Sequence, residues 1–446
     1  MTSTGKEFAH LGLGSGARVA LYLPKDERYL VLLLALIRAG CIACPLSTRL
    51  PSGGVAPLLE KTACRALVSK DEEVLETVGG IRKLHPETLL ADEPAREQPR
   101  PPEPLRLALD RPATIIFTSG STGVPKAALH TLGNHYYSAL GSNTNISLAP
   151  GDRWLHSLPL YHVGGLSILF RCLLAGAAVA LPEPGAPLGE TIAAGGATHV
   201  SLVSTQLLRL LGEEGFDPGG LKAILLGGGP IPPSLVDEAV GRGLPIHTSY
   251  GLTEMASQVT ATLPGASREE LRTSGRLLPH REISISDRGE ILVRGRTLFA
   301  GYVEDEAVEV PLGADGWFHT GDLGELDPDG CLSVRGRRDN LFVSGGENVQ
   351  PEEIEDALRR LEGVEDAVVV PVPDAEFGAR PVAFVRTTGV AVDPETLARA
   401  LEPTLPRFKI PAAFHGWPEE PEGIKADRLS LRERARRLRR GDPDPA

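Results

Sequence analysis

Short apolar runs alternate with amphipathic stretches through the first half of the chain. "ARVALYLP", "CRALVS", "ATIIFTS", "AAVALP", "THVSLVS" and "LKAILLGGG" read as strands, and the segments between them as helices. That alternation predicts an α/β architecture. "REISISDRGEILVRG" changes the rhythm to a hairpin turning at Asp287, Arg288 and Gly289, so a mixed β region follows the α/β body. Around "VRGRRDNLFVSGG" the chain turns polar and glycine-rich, which marks a domain boundary. Beyond it "PEEIEDALRRLEG" predicts a helix: Pro351 suits the first turn, acidic residues follow at the positive dipole end, and Gly363 can stop it. Ile354, Leu358 and Leu361 share one face of that helix. Strands in "DAVVVPVPD" and "RPVAFVRT" and a helix in "PETLARALEPTL" complete a small α+β domain. The expected organisation is a large α/β domain of several subdomains over residues 1–338 and a small α+β domain over 339–446. "EPAREQPRPPEP" reads as a Pro-rich connection.

A chain of 446 residues is too long for one small core and can bury a sizeable site. Its formal net charge of -12 argues against a general nucleic-acid binder. The local exception, "RERARRLRRG", reads as a solvated terminal helix, because acidic "DPDPA" follows and no aromatic residue is interleaved. "MTSTGKEFAHLGLGSG" lacks the charged head and apolar run of a secretory signal, and "YLVLLLALI" at 29–37 is too short to span a bilayer. With five cysteines, an odd number and few for this length, the expectation is a cytoplasmic protein. Cys41 and Cys44 form a CxxC, but no second CxxC exists to complete a zinc site, and buried-strand flanks favour a packing role. Oligomeric state is not specified, a homo-oligomer included.

"TIIFTSGSTGVPKAALH", residues 114–130, carries the first chemical signal. A buried strand ends in a loop where Gly120 and Gly123 allow close backbone approach. Thr118, Ser119, Ser121 and Thr122 offer hydroxyls there, and Lys126 adds a positive charge. Composition alone favours a solvated turn with a surface lysine; the order of residues favours an anion loop. It is not a GxxxxGK[ST] loop, because Ala127 stands where that loop needs a Ser or Thr for magnesium. The stretch instead resembles the phosphate loop of the acyl-adenylate-forming superfamily, which comprises acyl-CoA ligases, luciferases and peptide-synthetase adenylation domains.

Later stretches fit the same superfamily in the order it requires, from about Arg18 to Arg428. "LLGGGPI" places Gly227, Gly228 and Gly229 at a strand end, where backbone can lie flat against a purine. In "SYGLTEMAS" the resemblance implies Tyr250 and Gly251 at the adenine, Thr253 at phosphate, and Glu254 on Mg2+. "GWFHTGDLGELDPDG" supplies Asp322 for the ribose hydroxyls, and "GRRDN" supplies Arg337, with Asp339 as the hinge about which the small domain rotates. In "GIKADR", Lys425 takes the role of the C-terminal catalytic lysine, with Arg428 three residues on; Ile424 departs from the usual Gly-Lys. Family members usually carry a longer run of helix and strand before the segment equivalent to "LGLGSGARVALYLP", so a truncated or reduced first subdomain is expected. The implied substrates are ATP with Mg2+, a carboxylic acid and coenzyme A. A non-catalytic nucleotide-binding protein is the alternative from another class, and it would be expected to lose Lys425, Glu254 or Asp322.

The acid is implied by weaker signals. "HSLPLYHVGGLSILFRCLLAGA", "LFVSGGENVQPEEIE", "VPDAEFGARPV" and "GIKADR" are similar to the corresponding stretches of the 2-succinylbenzoate:CoA ligases of menaquinone synthesis. Arg171 interrupts an otherwise apolar helix, which is costly unless an anion pairs with it. It is expected to meet the substrate carboxylate that is not activated, or else to snorkel to solvent. His162 is expected near the acyl pocket, whereas His156, His199 and His247 show no metal-ligand spacing. An aryl- or fatty-acyl-CoA ligase would share every nucleotide motif.

Overall fold

The structure is a computed structural model that describes residues 11, 13–90, 106–118, 125–183, 185–374, 376–387, 393–417 and 428–440. The chain divides into two compact units: Met1–Gly229 with Gly243–Ile283 and Val293–Phe318, and Pro230–Arg242 with Ser284–Leu292 and His319–Ala446.

The first unit contains two sheets. In the eight-stranded one the spatial order is Ala307–Glu309, Gly301–Glu304, Lys126–Thr131, Pro112–Thr118, Ile42–Pro45, Arg18–Tyr22, Ala66–Ser69, Arg82–Leu84. Its last five strands run parallel, and Val19, Ala20 and Leu21 are buried on both faces, as parallel strands under helical cover must be. The helix Glu27–Ala39 covers part of this sheet. It begins because the Asp26 carboxylate accepts the Tyr29 N–H at 2.8 Å, and it ends at Gly40, whose φ of +87° is left-handed. The seven-stranded sheet has the order Arg276–Leu277, Ser257–Ala261, Ile246–Leu252, Ala223–Leu226, His199–Leu202, Arg153–Leu155, Ala178–Ala180. From Ile246–Leu252 onward its strands are parallel, so their carboxyl ends open on one edge, where α/β folds bind ligands. Cys41 and Cys44 are buried in the first sheet's core.

In the second unit, helix Pro351–Arg359 buries Ile354 and Leu358 against Ala367, Val369 and Ala383 of the long antiparallel pair Val364–Asp374 and Gly378–Thr387. The basic terminal helix, Arg428–Arg440, is only partly solvated: Leu431 and Ala435 are buried against Val368, Val370 and Phe384. Its arginines fall mostly on the remaining faces, so charge count alone concealed an apolar stripe.

Candidate active site

The predicted residues of the first unit gather at strand ends. Thr118 closes Pro112–Thr118 and pairs in register with Lys126, which opens the next strand, so the loop between them is anchored at both ends. Ser119, Gly120, Ser121, Thr122 and Gly123 lie outside the described residues, as does Lys425. Gly227, Gly228 and Gly229 follow strand Ala223–Leu226. A Cβ at Gly227 would stand 2.7 Å from the Ser249 hydroxyl, and Gly228 has φ +83°. The same hydroxyl donates to the Leu226 carbonyl at 2.9 Å, which ties this glycine loop to the strand bearing Tyr250. A bulge falls between Tyr250 and Gly251, and a Cβ at Gly251 would meet the Ser257 carbonyl oxygen at 2.3 Å, so only glycine fits. The strand runs directly into the 3-10 turn Thr253–Met255.

Three groups hold that turn. His130 Nε2 lies 2.7 Å from the Thr253 carbonyl oxygen, the Phe299 N–H donates to the Glu254 carbonyl at 2.7 Å, and the Tyr302 hydroxyl donates to Glu254 Oε1 at 2.6 Å. The Lys126 ammonium sits 5.0 Å from the centre of the Tyr302 ring. Lys126 and Glu254, 128 positions apart in the numbering, are thus brought together through a tyrosine that no motif singled out. Burial pulls His130 down to about 4, so it is neutral near pH 7 and suited to bind a carbonyl through N–H.

His162 stands at the start of helix Val163–Ala175, exposed, with the Tyr161 ring edge-on at 4.7 Å. Nine residues on, Arg171 is 1% exposed, so it does not reach solvent. Its Nη2 donates to Gln258 Oε1 at 2.9 Å and Ser257 Oγ at 3.3 Å, and its guanidinium lies 5.1 Å from the Trp154 ring centre. Its Nε and Nη1 find no acceptor among the described residues, where it also forms no ion pair. Burial lowers it to about 10, which still leaves it charged near pH 7. Ser257 and Gln258 begin the strand that leaves the Glu254 turn, so the buried cation lies next to the element that carries the predicted metal ligand.

In the second unit Asp322 and Arg337 face each other across two antiparallel strands, with Nη1 to Oδ1 at 2.9 Å. Arg337 Nη2 is also 3.7 Å from Asp339, which occupies the short turn Arg338–Asn340. Arg428, three residues after Lys425, is fixed by Glu355 at 2.7 Å and by the Val369 carbonyl at 2.8 Å, which anchors the end of the lysine segment. His156, His199 and His247 bind the backbone carbonyls of Gly165, Ser147 and Thr262.

The pattern of the AMP-binding enzymes matches residues 3–303, and that of the AMP-binding enzyme C-terminal domain matches 353–422. The chain belongs to the AMP-binding enzyme family. It is 38% identical over 428 residues to a 2-succinylbenzoate–CoA ligase of Salmonella typhimurium, covering 96% of this chain and 89% of the relative. It is 31% identical to the o-succinylbenzoate CoA synthetase (MenE) of Bacillus subtilis, solved in complex with the acyl-adenylate intermediate OSB-AMP, with a TM-score of 0.85 over 96% of this chain and 90% of that one. The same Bacillus protein solved with ATP and a magnesium ion gives 31% identity and a TM-score of 0.83 over 94% and 89%.

As an AMP-binding enzyme the chain needs somewhere to hold Mg2+. Among the described residues no cluster of three or more His, Cys, Asp or Glu could form an all-protein cage. A single carboxylate, Glu254, with the rest of the shell from phosphates and water is the arrangement Mg2+ favours, so the donor set fits a metal arriving with ATP. Among the described residues no helix is long and apolar enough to cross a membrane.

Proposed function

We propose that this AMP-binding enzyme is a 2-succinylbenzoate:CoA ligase, cytoplasmic, that adenylates one carboxylate of its acid with ATP and passes the acyl group to coenzyme A. The observation that carries the acid is Arg171: a buried guanidinium with two unpaired nitrogens, beside the Glu254 turn, is costly in a resting protein and suited to a substrate that brings a second carboxylate. The names of the relatives support the same acid.

The chemistry follows from charge. A carboxylate attacking the α-phosphate of ATP is repelled by the triphosphate, so the site must neutralise phosphate oxygens. Lys126, the hydroxyls and N–H groups of the loop at Thr118, Ser119, Gly120, Ser121, Thr122 and Gly123, and Lys425 would do so, with Thr253 at phosphate. Glu254 would hold Mg2+, which supplies further positive charge at the phosphates. Tyr250, Gly251, Gly228 and Gly229 would frame the adenine, and Asp322 with Arg337 the ribose. Pyrophosphate leaves as the acyl–phosphate bond forms, and the mixed anhydride must be kept from water. The thiol of coenzyme A then attacks the activated carbonyl, its proton goes to solvent, and AMP departs. His162 would line the acyl pocket. Asp339, exposed in its short turn, would be the hinge about which residues 339–446 rotate between the two half-reactions.

The test is ATP-dependent pyrophosphate release with 2-succinylbenzoate, 4-coumarate, benzoate and a medium-chain fatty acid, each with and without coenzyme A, with mass detection of the thioester. Selective turnover of 2-succinylbenzoate is expected. Preference for another acid would leave the ligase and remove this substrate, and no turnover with any acid would favour a binding-only protein. Lys425→Ala is expected to abolish adenylate formation and to spare thioester formation from supplied adenylate; equal loss of both halves would refute that division of labour.

A further inference from the structure

The hairpin strand Gly301–Glu304 lies against Lys126–Thr131 in antiparallel register, with Tyr302 opposite Ala128. Side chains alternate across a strand, so Tyr302, Lys126 and His130 share one face of this ladder, with Lys126 and His130 on either side of the tyrosine. That shared face is applied to a single target. Tyr302 binds the Glu254 carboxylate, His130 binds the Thr253 carbonyl, and Lys126 rests on the Tyr302 ring. On its other edge the strand is packed tightly in its own hairpin: Gly301 has φ +140°, and a Cβ there would stand 2.5 Å from the Glu309 carbonyl oxygen of Ala307–Glu309. Phe299 closes the far side, edge-on to Tyr302 at 4.8 Å, while its own N–H holds the Glu254 carbonyl.

We propose that Tyr302 is a positioning residue for the nucleotide: its hydroxyl fixes the Glu254 carboxylate through Oε1, which would hold that carboxylate ready for Mg2+, and its ring seats Lys126 on the same side. A carboxylate on a short turn can swing about its side-chain torsions. A phenol hydrogen bond to one oxygen removes that freedom without adding a competing charge. The ring contributes separately, because an ammonium over a π face is only lightly held, ready to exchange the ring for a phosphate oxygen. This inference rests on the ATP-using reading of the site.

The full chain is titrated calorimetrically with ATP, once with Mg2+ and once with EDTA, as wild type, Tyr302→Phe and Tyr302→Leu. Phe keeps the ring and its packing on Phe299, so Tyr302→Phe is expected to weaken binding about tenfold in the Mg2+ arm and less than about twofold in the EDTA arm. Tyr302→Leu removes the seat for Lys126 and is expected to weaken both arms. In a Glu254→Gln background the Phe substitution is expected to cost nothing further in the Mg2+ arm, because the tyrosine acts through that carboxylate. Tyr302→Phe indistinguishable from wild type in both arms, an equal loss in both arms, or a fully additive loss on Glu254→Gln would each overturn the proposal while the ligase reading stands. A wild-type chain that bound no ATP in either arm would overturn both.

Discussion

The two units hold their most deeply buried charges in different ways. In the first, Arg171 and Arg281, 1% and 4% exposed, have only neutral partners among the described residues. In the second, the buried carboxylate Glu355 is gripped by Arg428 at 2.7 Å and Arg359 at 3.6 Å and accepts the Val369 N–H at 2.7 Å. A charge paired inside its own unit is satisfied before any ligand arrives and serves the fold. A charge left short of acceptors is poised for one that comes from outside. Within the first unit the two arginines differ again: Arg281 spends all three nitrogens on the carbonyls of Gln258, Pro279 and Ser138 and on the Ser138 hydroxyl, whereas Arg171 leaves two unused.

The largest effect expected from this contrast is at Arg171. Arg171→Met keeps length and removes charge, so kcat/KM for 2-succinylbenzoate should fall on the order of a thousandfold, about 4 kcal/mol, while the thermal midpoint holds or rises. Unchanged turnover with a lowered midpoint would make Arg171 a structural arginine like Arg281. Next comes Glu355→Ala, which takes the buried carboxylate from Arg428 and Arg359 but leaves Glu352 to the first and Asp356 and Asp366 to the second, and should cost about 2–3 kcal/mol in urea unfolding. A loss below about 1 kcal/mol would mean that the second unit does not depend on its internal pairing.

Acid should separate the units as well. His130, His135 and His156 all belong to the first unit, and burial holds all three below the ordinary imidazole range, His130 at about 4 and His156 at about 3. In each case the unfolded chain takes up the proton first. The stability contributed is therefore full above about pH 6.5 and is lost as pH falls toward 4, on the order of 3 kcal/mol for His130 alone. Hydrogen exchange at pH 7.5 and pH 5 should show the strands around Lys126–Thr131 opening before Val364–Asp374. The reverse order would show that the carboxylate pairs of the second unit, not the histidines of the first, set acid stability.

The same division explains what the sequence could disclose. Strands such as Ala223–Leu226 and the helix Pro351–Arg359 were legible because their apolar spacing and end signals are local. Lys126, Glu254, Asp322 and Arg337 could be nominated as site residues because each sits in a short motif. Tyr302 was not: "AGYVED" carries no pattern, and its meaning depends on the register with a strand more than 170 residues earlier. His130 closes the quoted loop motif, yet its partner, the Thr253 carbonyl, is a backbone atom that no residue type announces. For Arg171 the chemical oddity was visible in an apolar helix, but its neighbours Ser257 and Gln258 lie 86 and 87 residues away.

The smallest expected effect marks the edge of the contrast. Arg399 and Glu395 form an ion pair at 2.8 Å in the second unit with the same chemistry as Arg428 and Glu355, but their side chains are 72% and 79% exposed. Water solvates both partners whether or not they touch, and holding two long side chains together costs entropy, so Arg399→Ala should change stability by less than about 0.5 kcal/mol. Urea unfolding of Arg399→Ala beside Glu355→Ala then sets an exposed Arg–Glu pair against a buried one in the same unit, each broken at one partner. If the two losses were similar, ion pairing itself would stabilise the second unit; a several-fold difference would assign the stabilisation to the desolvated site around Glu355 and, by the same reasoning, the latent binding energy of the first unit to the desolvated Arg171.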